Sequence, residues 1–154
     1  MLKIDEQTAQ RLYQDASGDF KTMLENTFSK EVLLPPSIIT RTPTVEAAMA
    51  IAGKTIAELT RPTDSPHETA VRIIETVIKV LWEGVEVDHS NAEQDKYEPR
   101  FYHKSGLGLS FNDFVSWVTG TYCGPRLCYP TYDIMMHGIK ILQGHYHIYL
   151  NSKN

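Results

Sequence analysis

Residues 107–129 read LGLSFNDFVSWVTGTYCGPRLCY, and the alternation in this stretch decides the fold. From Leu109, the residues Leu109, Phe111, Asp113, Val115 and Trp117 fall on one side of an extended chain, with Ser110, Asn112, Phe114, Ser116 and Val118 on the other. One row is mostly apolar and the other mostly polar, the pattern of a half-buried antiparallel strand built from types that fit a pleated surface. Asp113 is the misfit. In an apolar row it must sit at a bulge, reach the rim or meet a cation, because an unpaired buried carboxylate is costly. Arg126 on the following segment is the expected partner. Gly120 and Gly124-Pro125 punctuate the connection, and Arg126–Tyr129 reads as a short strand ended by Pro130.

Outward from this stretch, Tyr97–His103 is strand-like, with Pro99 marking an edge position, and Lys104–Gly108 turns the chain into the next strand. Downstream, Tyr132, Met135, Ile139, Leu142, Tyr146 and Tyr149 make one helical stripe, and Ile134, Ile141 and Ile148 make a second beside it. Upstream, Ala70, Ile73, Ile74, Val77, Ile78 and Leu81 keep a three-and-four spacing behind Ser65, Pro66 and Glu68, the signature of a capped core helix. Thr44 is a good N-cap for a helix through Val45, Ala48, Met49 and Ala52, with Gly53 as its stop. Glu6–Gln14 and the segment from Asp19, with its stripe of Phe20, Met23, Leu24 and Phe28, predict two short N-terminal helices.

The expected architecture is α+β: a small three-stranded antiparallel sheet (Tyr97–His103, Leu109–Val118, Arg126–Tyr129) packed against several α-helices. Strands adjacent in sequence are expected to pair. One domain spans 1–154, with an N-terminal helical hairpin at 1–30, a Pro-rich connector at 31–43 and the α+β core at 44–154.

Composition narrows the function classes. The chain has 154 residues, 42% of them hydrophobic, and a formal net charge of −4. That is enough for one core and makes a nucleic-acid clamp improbable, since neither half carries a basic excess. No apolar run approaches the roughly 20 residues that span a bilayer, and 1–6 lacks a signal-peptide build, so a cytoplasmic protein is expected. Cys123 and Cys128 are expected as free thiols.

Several patterns resemble chemistry without carrying it. Ala48–Thr55, AMAIAGKT, fits a loosened phosphate-loop pattern, but it follows a helix-forming segment where a buried strand and a glycine-rich turn are required. The acidic stretch around Asp88, Ser90 and Ala92 does not continue the ligand alternation of a calcium loop. His145 and His147 point apart on a helix and do not chelate one metal together. Cys128 with His103 or His137 is formally a nucleophile pair, yet its strand context favours a buried thiol. No catalytic set, metal site or cofactor is expected. For Arg126, an anion contact beside Trp117 and Tyr129 is the functional alternative to the Asp113 ion pair; with Arg100 and Lys104, these form the expected ligand set.

Distinctive wording in the chain also carries a resemblance. Tyr13 with 20–25 (FKTMLE), the segment from Glu83-Gly84 to Phe101 with Asp88, Ser90, Asn91, Lys96, Tyr97 and Pro99, and 108–111 with Ser116-Trp117 are similar to an uncharacterised family of small proteins. Gly124 and 126–128 (RLC) belong to the same pattern. Such proteins are encoded by phages and prophages of gut bacteria. The resemblance covers the first thirty residues and the C-terminal half. It implies a non-catalytic accessory protein in the cytoplasm of a bacterial host, acting through a protein partner or as a homo-oligomer. Capture of a small anionic, nucleotide-like ligand is the alternative. The chain departs from the family pattern at Glu98, Arg100 and Pro125.

Overall fold

A computed structural model describes residues 4–34, 36–104, 108–118 and 127–151, with the backbone alone at His103, Lys104, Gly108 and Leu109. The chain divides into two compact units, residues 1–40 and 41–154. Among the described residues the fold is α+β, with eight helices and a two-stranded antiparallel sheet.

The first unit holds α1 (Glu6–Asp15), α2 (Gly18–Thr27) and α3 (Lys30–Leu33). Asp5 caps α1 by accepting from the Thr8 N–H at 2.7 Å. One residue from each helix, Ala9, Leu24 and Leu33, closes a small core, with Leu12, Tyr13 and Phe28 packed around it. This corrects the expected two-helix hairpin. Within 31–43, α3 ends before the prolines and supplies the third side of the core, and α4 (Ile38–Arg41) completes one turn between Pro36 and Pro43. The Gln10 amide donates to the Val32 carbonyl at 2.6 Å, fixing α3 against α1. The stripe expected on α2 is narrower than its sequence suggests. Phe20 and Met23 are 42% and 47% exposed, which leaves Leu24 as the buried anchor.

In the second unit, α5 (Val45–Ile51) begins at the Thr44 cap and stops before Gly53, whose φ of +65° needs a residue without Cβ strain. The phosphate-loop look-alike is thus the end of a helix and the turn after it. A short α6 (Ile56–Leu59) follows. Next, α7 (Pro66–Leu81) starts with a reciprocal capping box: Ser65 Oγ accepts from Glu68 N–H, and the Glu68 carboxylate accepts from Ser65 N–H at 2.7 Å. Its six-residue apolar stripe is buried as expected. Burying each of its Ile, Val and Leu side chains stabilises by roughly 1.5–3 kcal/mol, so the stripe outweighs the Arg72–Asp64 ion pair, whose charges are mostly withdrawn from solvent and carry a desolvation cost.

The sheet consists of β1 (Lys96–Lys104) and β2 (Gly108–Trp117). Their register holds the resolution of the Asp113 problem. Arg100 pairs with Asp113 but Phe101 pairs with Phe111, so Asn112 is an extra, bulged residue. The bulge resets the alternation. Beyond it, Asp113, Val115 and Trp117 share a face with Lys96, Glu98 and Arg100, whereas Phe111 and Phe114 share the opposite face with Tyr97 and Phe101. The single apolar row of the sequence is therefore split between two faces, and Asp113 is exposed, directly across from Arg100. The expected Arg126 partner lies outside the described residues.

Among the described residues, the expected third strand is reduced to one residue. Tyr129 forms an isolated antiparallel bridge with Tyr97, their backbones exchanging hydrogen bonds of 2.9 and 2.8 Å. It adds to β1 rather than to the sequence neighbour β2, which puts β1 in the middle. Pro130 cannot donate to a ladder and α8 (Tyr132–Asn151) begins two residues later, so the pairing cannot extend C-terminally.

Helix α8 packs against α7 and reaches β1. Its buried side chains, Met135, Ile139, Leu142 and Tyr146, belong to the first of the two expected stripes. Tyr129 packs against the helix at Gly138, where an added Cβ would collide with the ring. A glycine in a helix interior costs about 0.5–1 kcal/mol relative to alanine; here it admits a fully buried tyrosine. The Tyr129 and Tyr146 hydroxyls close the contact at 2.7 Å.

Candidate functional site

The chemistry-bearing residues gather along the seam where the aromatic face of the hairpin meets α8. Phe101 lies against Tyr146, with ring centroids 4.9 Å apart, and meets Phe111 edge-on at 6.3 Å and 79°. Toward the start of α8, Phe114 contacts Tyr132 at 5.0 Å and Tyr97 at 5.8 Å. The bulge at Asn112 makes this possible, since it lets Phe111 and Phe114 face the helix together.

The expected ligand set does not assemble on this seam. Tyr129 is sealed in the core, its hydroxyl bonded to Tyr146, and burial pushes the phenols of both residues well up. Arg100 is exposed on the opposite face of the hairpin. Trp117 stacks on His89 at 5.8 Å and 12° and carries the Lys96 ammonium 5.4 Å from its ring centroid. Arg126 and the Lys104 side chain lie outside the described residues.

Lys96 is the feature that sequence reasoning missed. It is 0% exposed, and its three N–H donors meet three carbonyls: Gln94 and Val118 at 2.8 Å each and Asn91 at 3.4 Å. A buried ammonium is costly unless so satisfied. The arrangement clips the 88–94 loop to the end of β2. Nothing in the local sequence distinguishes this lysine from a surface one.

Other groups considered for chemistry are engaged elsewhere. Cys128 is buried, with its thiol pushed up to about 11, and its carbonyl accepts from the Trp82 indole at 2.8 Å. His137 Nε2 donates to the Thr42 carbonyl at 2.7 Å. Asp88 accepts from both the N–H and the hydroxyl of Ser90, which hold its carboxyl below the usual range. Burial lowers His145, opposed by Glu46, while His147 is exposed on another side of α8. Among the described residues, no group of three His, Cys, Asp or Glu side chains is placed to hold a metal.

Beside Phe101 and Phe111 the seam opens into a cleft of about 670 Å³ bordered by Lys140, Gln143, Gly144 and His147, and a separate hollow measures about 440 Å³. The smaller hollow lies under the 84–89 loop near Lys79 and Trp82. The α8 residues have i, i+3, i+4, i+7 spacing, so a signal for a shared face was present in the sequence. It was masked by the two apolar stripes beside it.

Comparisons with protein-family models, curated proteins and solved structures return no match to this chain. Among the described residues, no helix is long and apolar enough to cross a membrane.

Proposed function

We propose that the chain is a non-catalytic accessory protein of a phage or other mobile element, working in the bacterial cytoplasm through protein contact, first of all with a second copy of itself. The provenance rests on the resemblance over the first thirty residues and the C-terminal half of the chain. The observation supporting the contact is the uneven closure of α8. Met135, Ile139, Leu142 and Tyr146 of its first stripe are buried, whereas Ile134 and Ile141 of the second are half-buried, Ile148 is 37% exposed, and Tyr132 at the start of the first stripe, tilted against Phe114, is 43% exposed. Aromatic and aliphatic side chains left at a surface are the raw material of interface cores, and a helical stripe of this kind is self-complementary about a two-fold axis. The engagement of Cys128 and His137 supports the non-catalytic reading.

Light scattering at low micromolar concentration tests it. The expected mass is twice the 17.5 kDa chain, and Ile141→Glu returns it to the monomer with an unchanged circular dichroism spectrum. A monomeric wild type that Ile141→Glu unfolds would make the stripe internal core and overturn self-association.

A second reading, capture of a small anionic ligand, is favoured by the chemistry of the α8 cleft. It moves from the expected residues to a different set.

A further inference from the structure

We infer that the cleft between the β-hairpin and the second half of α8 is a binding site for a small planar aromatic anion of nucleoside-monophosphate size. The inference rests on the ligand-capture reading and assigns it a site. Its volume of about 670 Å³ falls within the range of small-molecule pockets.

The first support is charge. The ionisable side chains bordering the cleft are Lys140 and His147, with no carboxylate among its lining residues, in a chain whose net charge is −4. Lys140 has no ion pair or hydrogen bond among the described residues. On His147, Nδ1 faces the Asn151 amide at 3.2 Å, and Nε2 has no partner among the described residues. An ammonium and an imidazole two helical turns apart on one face can reach the oxygens of a phosphate or carboxylate from two sides.

The second is shape. Phe101 and Phe111 meet edge-on and are each half-buried, so they form a corner with apolar surface toward the cleft. A flat ring entering there finds a stacking surface. Gln143 adds an exposed amide for its edge.

The third is Gly144. A Cβ at Gly138 would collide with Tyr129, which accounts for that glycine, but a Cβ at Gly144 would meet nothing within 4 Å. Packing therefore does not require the helix-weakening residue at 144. A ligand lying against the helix backbone would use the space that the absent side chain leaves.

The test is isothermal calorimetry of the full chain with the four ribonucleoside 5′-monophosphates and 4-hydroxybenzoate, using adenosine and inorganic phosphate as controls. At least one aromatic anion is expected to bind at micromolar to submillimolar concentration, and more tightly than either control. Lys140→Met should weaken that binding tenfold or more, and Gly144→Leu should abolish it, both with an unchanged circular dichroism spectrum. If one of the variants misfolds, Gln143→Leu serves in its place and is expected to weaken binding severalfold. Binding that the variants leave unchanged would keep ligand capture and overturn this site. No binding by any of the five probes, or binding no tighter than inorganic phosphate, would overturn both.

Discussion

Gly138 and Gly144 lie on the same helix and have opposite surroundings. At Gly138 the missing side chain is filled by the ring of Tyr129, and the helix is welded to the bridge beside β1. At Gly144 the missing side chain is filled by nothing in the protein, and the helix borders an open cleft. Helix propensity penalises both residues alike. The difference teaches that α8 is divided by face: the face of Met135, Gly138, Leu142 and Tyr146 is committed to the core, while the face of Lys140, Gly144 and His147 keeps backbone accessible.

The largest expected effect would break this comparison at its closed end. Gly138→Ala should destabilise by about 1–3 kcal/mol, because the Tyr129 ring cannot yield. That ring is held by two backbone hydrogen bonds to Tyr97 and by the Tyr146 hydroxyl. Urea unfolding followed by circular dichroism measures the loss; an unchanged midpoint would mean that the ring moves freely.

An intermediate effect is expected where the hairpin is clipped to its loop. Lys96→Met should cost roughly 1–3 kcal/mol, since the Asn91, Gln94 and Val118 carbonyls lose their shared donor. Limited proteolysis should also show faster cleavage within 88–94. Wild-type stability and protease resistance would reduce the carbonyl cage to an incidental contact.

The smallest effect separates the two faces of the hairpin. Asp113→Ala should change stability by only about 0.2–1 kcal/mol, the range of an exposed cross-strand pair of opposite charge. The residue is exposed opposite Arg100 rather than buried beside Arg126. A loss well above that range in a urea titration would return Asp113 to a buried ion pair.

These outcomes bear on how much was legible in the sequence. The α7 helix was readable because its stripe and its Ser65–Glu68 cap are both local patterns. The two strands were readable for the same reason. Asp113 announced that something interrupts β2, but the location of the bulge depends on the pairing of Phe101 with Phe111, which a single strand does not encode. The third strand failed similarly: Tyr129 pairs with Tyr97 through two backbone bonds whose partner is chosen by tertiary packing. In the first unit, the stripe on α2 looked fully buried because its sequence does not reveal that α3 supplies so narrow a partner. The candidate site was least legible. The residues at 140, 143, 144 and 147 resemble an ordinary solvated helix face until Phe101 and Phe111 are placed beside them.

The most direct measurement of the divided helix is the urea midpoint of Gly144→Ala against wild type, both without ligand. With no atom in the way of the new Cβ, the substitution should raise stability by about 0.5–1 kcal/mol through helix propensity alone. A lower midpoint would show that the Gly144 face of α8 is packed as tightly as the Gly138 face, and the open cleft would be contradicted.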